Sequence, residues 1–248
     1  MSVIGIHPIN KVPVEIQAAE ALREAIVSGR ISPGSRITEA QLAAELQLSR
    51  ASARAALHQL AKEGLTSLIP YTGWTVATLS AADVWELYTL RSGLERLAAK
   101  LVVQTLSVDK SSALGAAWIT LRDACSRGDK EEIAEADFAL HKALIELSGH
   151  SRLKLQYETI ERQIRMCIRS SDALVESPEA ILEQHRPLVE AILAGRSDEA
   201  GAHAEAHNLT EGEKLREHLA KTETDQDPAL RVSRGATRLR NSKGRKSA

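Results

Sequence analysis

Residues 38–64 read TEAQLAAELQLSRASARAALHQLAKEG, and this stretch contains two helical patterns separated by a short break. Thr38 with Gln41 three residues later is typical of a capping box at a helix start, and Ser49 can cap a second helix. Apolar residues recur at helical spacing in both patterns, and Gly64 follows the second where a helix commonly ends. Two helices joined across so short a connection predict a helix-turn-helix.

The flanking sequence extends this motif to a small domain. An apolar stripe predicts an earlier helix over residues 16–28. Residues 65–69 and 74–79 are β-prone, which predicts a hairpin, or wing, around the turn sequence Pro70-Tyr71-Thr72-Gly73. We therefore expect a winged helix-turn-helix domain over residues 11–79.

From Ser80 onward the pattern is helical. No β-rich stretch interrupts it, so we expect an all-α antiparallel bundle over residues 80–221 and a mainly α protein. The segment 222–248 is polar, basic and without periodicity, which is typical of a disordered tail. The six predicted helices cover residues 82–106, 108–127, 129–148, 150–175, 178–195 and 197–221.

Charge is strongly segregated along the chain, although the formal net charge is only −1. Residues 1–80 carry +1, residues 81–228 carry −9 and residues 229–248 carry +7. An acidic body repels nucleic acid, so DNA contact is expected at the N-terminal domain or at the basic tail.

The composition also indicates the cellular setting. No apolar run approaches the roughly 18 residues that span a bilayer. Residues 1–11 lack the layout of a signal peptide, so we expect a cytoplasmic protein without membrane contact. Cys125 and Cys167 form no CxxC or other metal-binding spacing, and we expect reduced, buried thiols.

Two arginines mark the second helix of the helix-turn-helix as the DNA-reading element. Arg50 and Arg54 stand one turn apart at its N-terminal end, where side chains reach base edges and free backbone N–H groups face phosphates. Arginine is well suited to bidentate recognition of guanine. The alternative is that both arginines are merely solvated.

A metal hypothesis follows from the histidines, six of which lie between residues 141 and 218. Asp137 and His141 are four residues apart on one helical face, so their tips can converge. His207 follows His185 on the next helix, and antiparallel packing would bring these two helices together. Three imidazoles and one carboxylate suit a divalent ion, with Zn²⁺ as first candidate and Ni²⁺ or Mn²⁺ as alternatives. A single helical histidine is more often structural or solvated than a ligand.

The N-terminal pattern resembles the winged helix-turn-helix of the GntR family of bacterial transcription regulators. The matching residues include Gly29-Arg30, Pro33-Gly34, Glu39, Leu42-Ala43, Ser49-Arg50, Arg54, Glu63-Gly64-Leu65 and Gly73. The resemblance implies that the helix beginning at Ser49 enters the major groove and that the wing contacts the minor groove or backbone. The DNA-binding residues that it implies are Ser49, Arg50, Ser52, Arg54, Tyr71, Thr72 and Gly73.

The chain departs from the usual family sequence Ser-Arg-Thr-Pro-Val-Arg-Glu-Ala-Leu, since residues 49–57 read SRASARAAL. The Thr-Pro pair and the glutamate are absent. Ala40 replaces a basic residue that is often found just after the acid of the first motif helix. We therefore expect an altered DNA specificity and one fewer DNA contact.

Residues 82–219 resemble the FCD ligand-sensing domain of the FadR subfamily of GntR regulators. The resemblance includes residues 87–95, residues 147–150, the His185-Arg186 segment and the ligand pattern below. It implies that a metal ion is held by Asp137, His141, His185 and His207. Six helices rather than seven indicate the VanR-like branch.

The same resemblance implies an effector cavity. Arg91 would face this cavity and meet an anionic group of the effector, and Arg165 and Arg169 are further candidates for its lining. The alternative for Arg91 is an intrahelical ion pair with Glu95, four residues later.

The C-terminal domain also departs from the family pattern. Asn208 stands where a leucine usually follows the last histidine, which keeps His203, one turn earlier, as an alternative ligand. His150 occupies a position that is usually Asn, and we interpret it as structural.

Together these features predict a homodimeric, metabolite-responsive transcription regulator and not an enzyme. It would bind double-stranded operator DNA and sense a small, carboxylate-bearing effector at a metal-containing pocket. A metal-dependent hydrolase is the alternative, since three histidines and one aspartate can also activate water. A structural nucleoid-type protein would use the basic tail and need no pocket.

Overall fold

The computed structural model describes residues 12–226. The chain divides into two compact units between Thr78 and Leu79. Of the predicted disordered tail, residues 222–226 belong to the last helix, and residues 227–248, with the cations of residues 229–248, lie outside the described residues.

The described part of the N-terminal unit contains three helices and a three-stranded antiparallel sheet. These are α1 (Val14–Val27), β1 (Arg36–Ile37), α2 (Glu39–Glu45), α3 (Arg50–Lys62), β2 (Thr66–Ile69) and β3 (Gly73–Val76). The strand order is β1-β3-β2. Leu22 and Ile26 of α1 are buried with Leu57 and Leu60 of α3, so the helices enclose an apolar core.

The local sequence determines where the two central helices begin. Thr38 and Gln41 form the predicted capping box of α2, and Ser49 Oγ accepts a hydrogen bond from the backbone N–H of Ser52 at the start of α3. Gln47 turns the chain between α2 and α3 with a φ of 54°, in the left-handed region. The helix-turn-helix is therefore formed as predicted.

Strand β1 corrects the sequence analysis, which predicted only the two strands of the wing. Arg36 pairs with Thr75 and Ile37 pairs with Trp74, both on β3. Two residues are too few to show the alternation by which a strand is recognised. The wing itself, β2 and β3, is the predicted hairpin.

The C-terminal unit is an all-α bundle of six helices in its described part, as predicted. The last helix continues beyond the predicted end at residue 221. The helices are α4 (Ala81–Gln104), α5 (Val108–Arg127), α6 (Lys130–Leu147), α7 (Ser151–Asp172), α8 (Pro178–Leu193) and α9 (Ser197–Gln226). Serine or aspartate caps four of them, and His150 Nδ1 accepts from the backbone N–H of Leu153 to cap α7.

Helices α4 and α9 pack against each other at two glycines of α9. A Cβ added at Gly212 would lie 2.5 Å from Cβ of Tyr88, and one added at Gly201 would lie 2.9 Å from Cγ of Lys100. Asn208, between these glycines, donates a hydrogen bond to Glu95 of α4. The glycines thus allow α9 to bring its polar side chains onto α4.

Both cysteines are reduced and buried, as expected. Within residues 12–226, no helix combines the length and apolar character needed to cross a membrane.

Candidate metal centre and DNA-binding face

Three helices of the bundle bring the four predicted metal ligands together. Asp137 and His141 lie on α6, His185 on α8 and His207 on α9, and the nearest ring nitrogens of the three histidines are within 4.8 Å of one another. Asp137 Oδ2 is 3.1 Å from His185 Nε2, and Asp137 Oδ1 is 3.3 Å from His141 Nε2. The arrangement therefore matches a three-histidine, one-carboxylate ligand set.

Two of the imidazoles have an oxygen acceptor beside Nδ1, on the side away from the cluster. These contacts define Nε2 as the nitrogen that faces the cluster. His141 Nδ1 is 2.7 Å from Glu95 Oε2, and His185 Nδ1 is 2.7 Å from the carbonyl oxygen of Ile181. An oxygen acceptor at Nδ1 requires the N–H there, so in the neutral imidazole the lone pair is on Nε2, the nitrogen that faces the cluster. Histidine ligands of metals are commonly oriented in this manner.

The electrostatics of the cluster favour a cation. Burial opposes ionisation of Asp137, but His185 and His141 hold its pKa well below the usual range. Burial likewise opposes protonation of His185, yet the Asp137 carboxylate outweighs it and raises the pKa of that imidazole. Burial and the charges of His185 and His141 depress the pKa of His207. Asp137 Oδ1 is buried and accepts no hydrogen bond, so a carboxylate oxygen is available to a metal ion.

Glu95 joins the predicted metal ligands to α4 and was not itself predicted as a site residue. It is fully buried, and its carboxylate accepts from Arg91 Nε at 2.7 Å, from Asn208 Nδ2 at 2.8 Å and from Tyr157 Oη at 3.3 Å, besides His141. Burial would raise the pKa of Glu95, but the charges of Arg91 and His141 lower it instead. Glu95 is thus an ionised carboxylate that positions one ligand of the cluster.

Arg91 forms the intrahelical ion pair that the sequence analysis gave as the alternative. Its Nε forms the intrahelical pair with Glu95, while its Nη2 is buried without a hydrogen-bond partner. The guanidinium also lies over the ring of Tyr88, 5.4 Å from the centroid. Arg91 is 1% exposed, so its remaining N–H groups point into the protein interior and not to bulk water.

A cleft of about 320 Å³ opens at the N-terminal ends of α6 and α8. Asp172 and Ile181 line it, and the Ile181 carbonyl is the acceptor for His185. Arg169 also lines the cleft and is paired with Glu131. The cleft therefore reaches residues that contact the histidine cluster.

Arg165 and Arg169 were both predicted as candidates for the lining of the effector cavity, but only Arg169 lines the cleft. Arg165 is paired with Glu135 on α6, with Nε at 2.7 Å from Oε1, and it does not line the cleft. His203, the alternative ligand, is not in the histidine group that the described residues form.

The N-terminal unit presents the predicted DNA-binding residues on its surface. Ser49 and Arg50 are exposed at the start of α3, and Ser52 is half-buried with its hydroxyl 2.9 Å from that of Ser49. Tyr71 is fully exposed in the wing with a φ of 62°, a conformation that is uncommon for a bulky residue. Thr72 is exposed beside it, and Gly73 adopts a φ of 104°.

Arg54 is exposed and bound to Glu39 of α2, since Nε and Nη2 each lie 2.8 Å from a carboxylate oxygen. The pair orders the guanidinium and uses two of its five N–H donors.

Arg36 was missed by the sequence analysis because the strand that carries it was not predicted. It lines one surface depression together with Arg50, Thr72 and Gly73. Helix α3 and strand β1 thus present two cations, Arg50 and Arg36, to one surface depression beside the wing.

Comparison with known sequences assigns both units. Residues 15–76 match the gntR family of bacterial regulatory proteins, and residues 86–210, about half of the chain, match the FCD domain. The chain belongs to the GntR family. It is a transcription regulator with an FCD effector-binding domain, as the sequence predicted.

Relatives of this GntR regulator extend over most of the chain. The Nta operon transcriptional regulator of Aminobacter aminovorans is 30% identical over 181 residues, which cover 73% of this chain and 84% of that protein. YdhC of Bacillus subtilis (strain 168), an uncharacterized HTH-type transcriptional regulator, is 29% identical over 208 residues, covering 84% and 93%. The solved structure of E. coli McbR/YncC shares the fold, with a TM-score of 0.69 at 21% identity and coverage of 84% and 99%. These GntR-type matches give the hydrolase alternative no support.

Proposed function

We propose that this GntR regulator binds a divalent metal ion and a small carboxylate-bearing effector in its FCD domain, and that the effector changes its affinity for operator DNA. The observation that carries the proposal is the buried group of Asp137, His141, His185 and His207, in which Asp137 Oδ1 accepts no hydrogen bond. Zn²⁺ is the first candidate for the ion, with Ni²⁺ and Mn²⁺ as alternatives.

The residues around the cluster support a carboxylate as the effector's anionic group. A bound divalent ion supplies positive charge and open positions for a carboxylate oxygen. Arg91 Nη2 is a buried donor without a partner, and a carboxylate oxygen would satisfy it. The cleft beside Asp172 and Ile181 is the route by which we expect the effector to enter.

We further propose that two copies of the chain bind DNA together, each through α3 and its wing. Ser49, Arg50 and Arg54 lie on the first turns of α3, and the wing supplies Tyr71 to Gly73. A two-fold dimer reads an inverted repeat. An effector that binds the DNA-free state more tightly weakens operator binding by its differential affinity for the two states.

Metal analysis of protein purified without an affinity tag tests the sensor. We expect about one ion per subunit in the wild type and a large loss in His141→Ala and in His207→Ala. His203→Ala is the matched control, because His203 lies one turn before His207 on α9 but outside the histidine group. Full metal content in both variants, or equal loss in the control, would refute the proposed ligand set.

Selection of bound sequences from random DNA tests the DNA-binding face. The selected site should be an inverted repeat, and Arg50→Ala and Arg54→Ala should each lose about 1–3 kcal/mol of specific binding. Arg30→Ala serves as the control, since Arg30 lies in the connection after α1 and bonds to Ser28. Unchanged binding by both α3 variants would remove the assignment of α3 as the reading helix.

A further inference from the structure

Buried polar atoms without hydrogen-bond partners are concentrated around the proposed metal centre. Besides Asp137 Oδ1, they include Arg91 Nη2 on α4, Asp172 Oδ2 on α7, and Asn208 Oδ1 and Glu211 Oε2 on α9. A buried polar group without a partner loses its hydration and gains no hydrogen bond in return, so proteins rarely retain several together without a ligand. The chemistry of these atoms therefore indicates which groups a ligand must bring.

These atoms belong to one interior region. Asn208 and Arg91 bind the same Glu95 carboxylate, and Glu211 follows His207 by one turn on the same helix. Burial and the negative charges of Asp137 and Glu211 raise the pKa of Asp172 to about 9. Asp172 therefore lies within electrostatic reach of both Asp137 and Glu211.

The unsatisfied atoms divide into an anion-binding and a cation-binding set. Arg91 Nη2 is a donor, which suits the effector's carboxylate. Asn208 Oδ1 and Glu211 Oε2 are acceptors, which a carboxylate cannot satisfy. The effector must bring hydrogen-bond donors for the second set.

Glu211 makes a positively charged donor more suitable than a hydroxyl. Its side chain is 6% exposed, and only one of its oxygens is bound, by Lys214 Nζ at 2.8 Å. An ammonium group brings three donors, enough for Glu211 Oε2 and Asn208 Oδ1 together, whereas a hydroxyl brings only one.

We propose that the effector is an amino carboxylate, whose ammonium group binds Glu211 Oε2 and Asn208 Oδ1 while its carboxylate meets Arg91 and the metal centre. This inference rests on the proposed function of the same site. The proposal restricts the class of effector from organic acids in general to compounds that carry both an ammonium and a carboxylate group.

Matched ligands provide the test, with calorimetric titration of the metal-loaded full-length protein. The series comprises straight-chain carboxylates of two to six carbons, each as the unsubstituted, hydroxy and amino compound; propionate, lactate and alanine form one such set. We expect the tightest ligand to be an amino compound, bound at least 10-fold more tightly than its two matched partners. Glu211→Gln should remove this preference while its metal content stays at the wild-type level, which shows that the variant folds. Glu213→Gln, two residues away and paired with Arg216, is the control and should keep the preference.

The outcomes separate this inference from the proposed function. If hydroxy or unsubstituted carboxylates bind as tightly as amino compounds, or if the preference persists in Glu211→Gln, the amino carboxylate is wrong and the carboxylate sensor stands. If no compound of the series binds the metal-loaded protein, both the amino carboxylate and the carboxylate sensor are overturned.

Discussion

Glu95→Gln is the substitution that most directly tests how the metal centre is built. The Arg91 and Glu95 side chains are 2% and 0% exposed and lie 2.7 Å apart, so the variant leaves a buried guanidinium without its counter-charge. Breaking such a buried pair costs about 3–5 kcal/mol of unfolding free energy. His141 also loses the carboxylate that orients it, for which we expect a 10–100-fold loss of metal affinity.

Two further variants calibrate this expectation. Glu205→Gln breaks the pair between Glu205 of α9 and Arg96 of α4, whose side chains are 35% and 50% exposed, and it should cost at most about 1 kcal/mol. The double variant Arg91→Met/Glu95→Gln should be more stable than the sum of its single changes, because it removes the stranded charge together with its partner.

The assays are denaturant unfolding of metal-stripped protein at pH 7 and chelator competition for the metal. The pKa of Glu95 is lowered in the folded state. The stability that its ionised carboxylate contributes is therefore fully present above the pKa of the unfolded state and is lost as pH falls through the folded-state pKa. At pH 7 the whole contribution is present. A loss of unfolding free energy no larger than that of Glu205→Gln, together with unchanged metal affinity, would refute the role assigned to Glu95.

Three more predictions concern packing, charge and pH. Gly212→Ala should destabilise the protein by about 1–3 kcal/mol, because the new Cβ meets Tyr88. Gly93→Ala, whose new Cβ has nothing within 4 Å, should stabilise the protein by about 0.5–1 kcal/mol. Thermal unfolding measures both, and equal effects would disprove the close approach of α9 to α4 at Gly212. Deletion of residues 229–248 should flatten the dependence of log DNA affinity on log salt without altering sequence preference, and an unaltered slope would mean that the tail makes no phosphate contact. The stability of metal-free protein relative to His185→Gln should be greatest below pH 6.5 and decline at higher pH, since the pKa of that imidazole is raised in the folded state; a pH-independent difference would contradict the shift.

The sequence predicted those parts of the fold that depend on local signals. Thr38, Ser49 and the caps of the bundle helices act on backbone groups within a few residues, and apolar spacing reports one helix at a time. The same holds for Asp137 and His141, which share a helix face. Strand β1 was missed because its two residues form a strand only through pairing with β3.

The hydrogen bonds of Glu95, which connect the proposed ligand His141 to α4, α7 and α9, could not be predicted from local signals. Glu95 appeared in the sequence only as a partner for Arg91, because its other contacts come from α6, α7 and α9. Asn208 was noted as a departure from the family pattern, and its hydrogen bond to Glu95 supplies a physical reason for a polar residue there. Pairing across 113 residues of chain leaves no periodic signal.

The spread of the ligands along the chain also has a consequence for synthesis. Asp137 and His141 are made together on α6, but His207 lies on α9, the last of the described helices. A nascent chain therefore has only part of the ligand set until α9 has left the ribosome and docked against α4. Coordination by all four proposed ligands would then be possible only after the whole bundle has been translated.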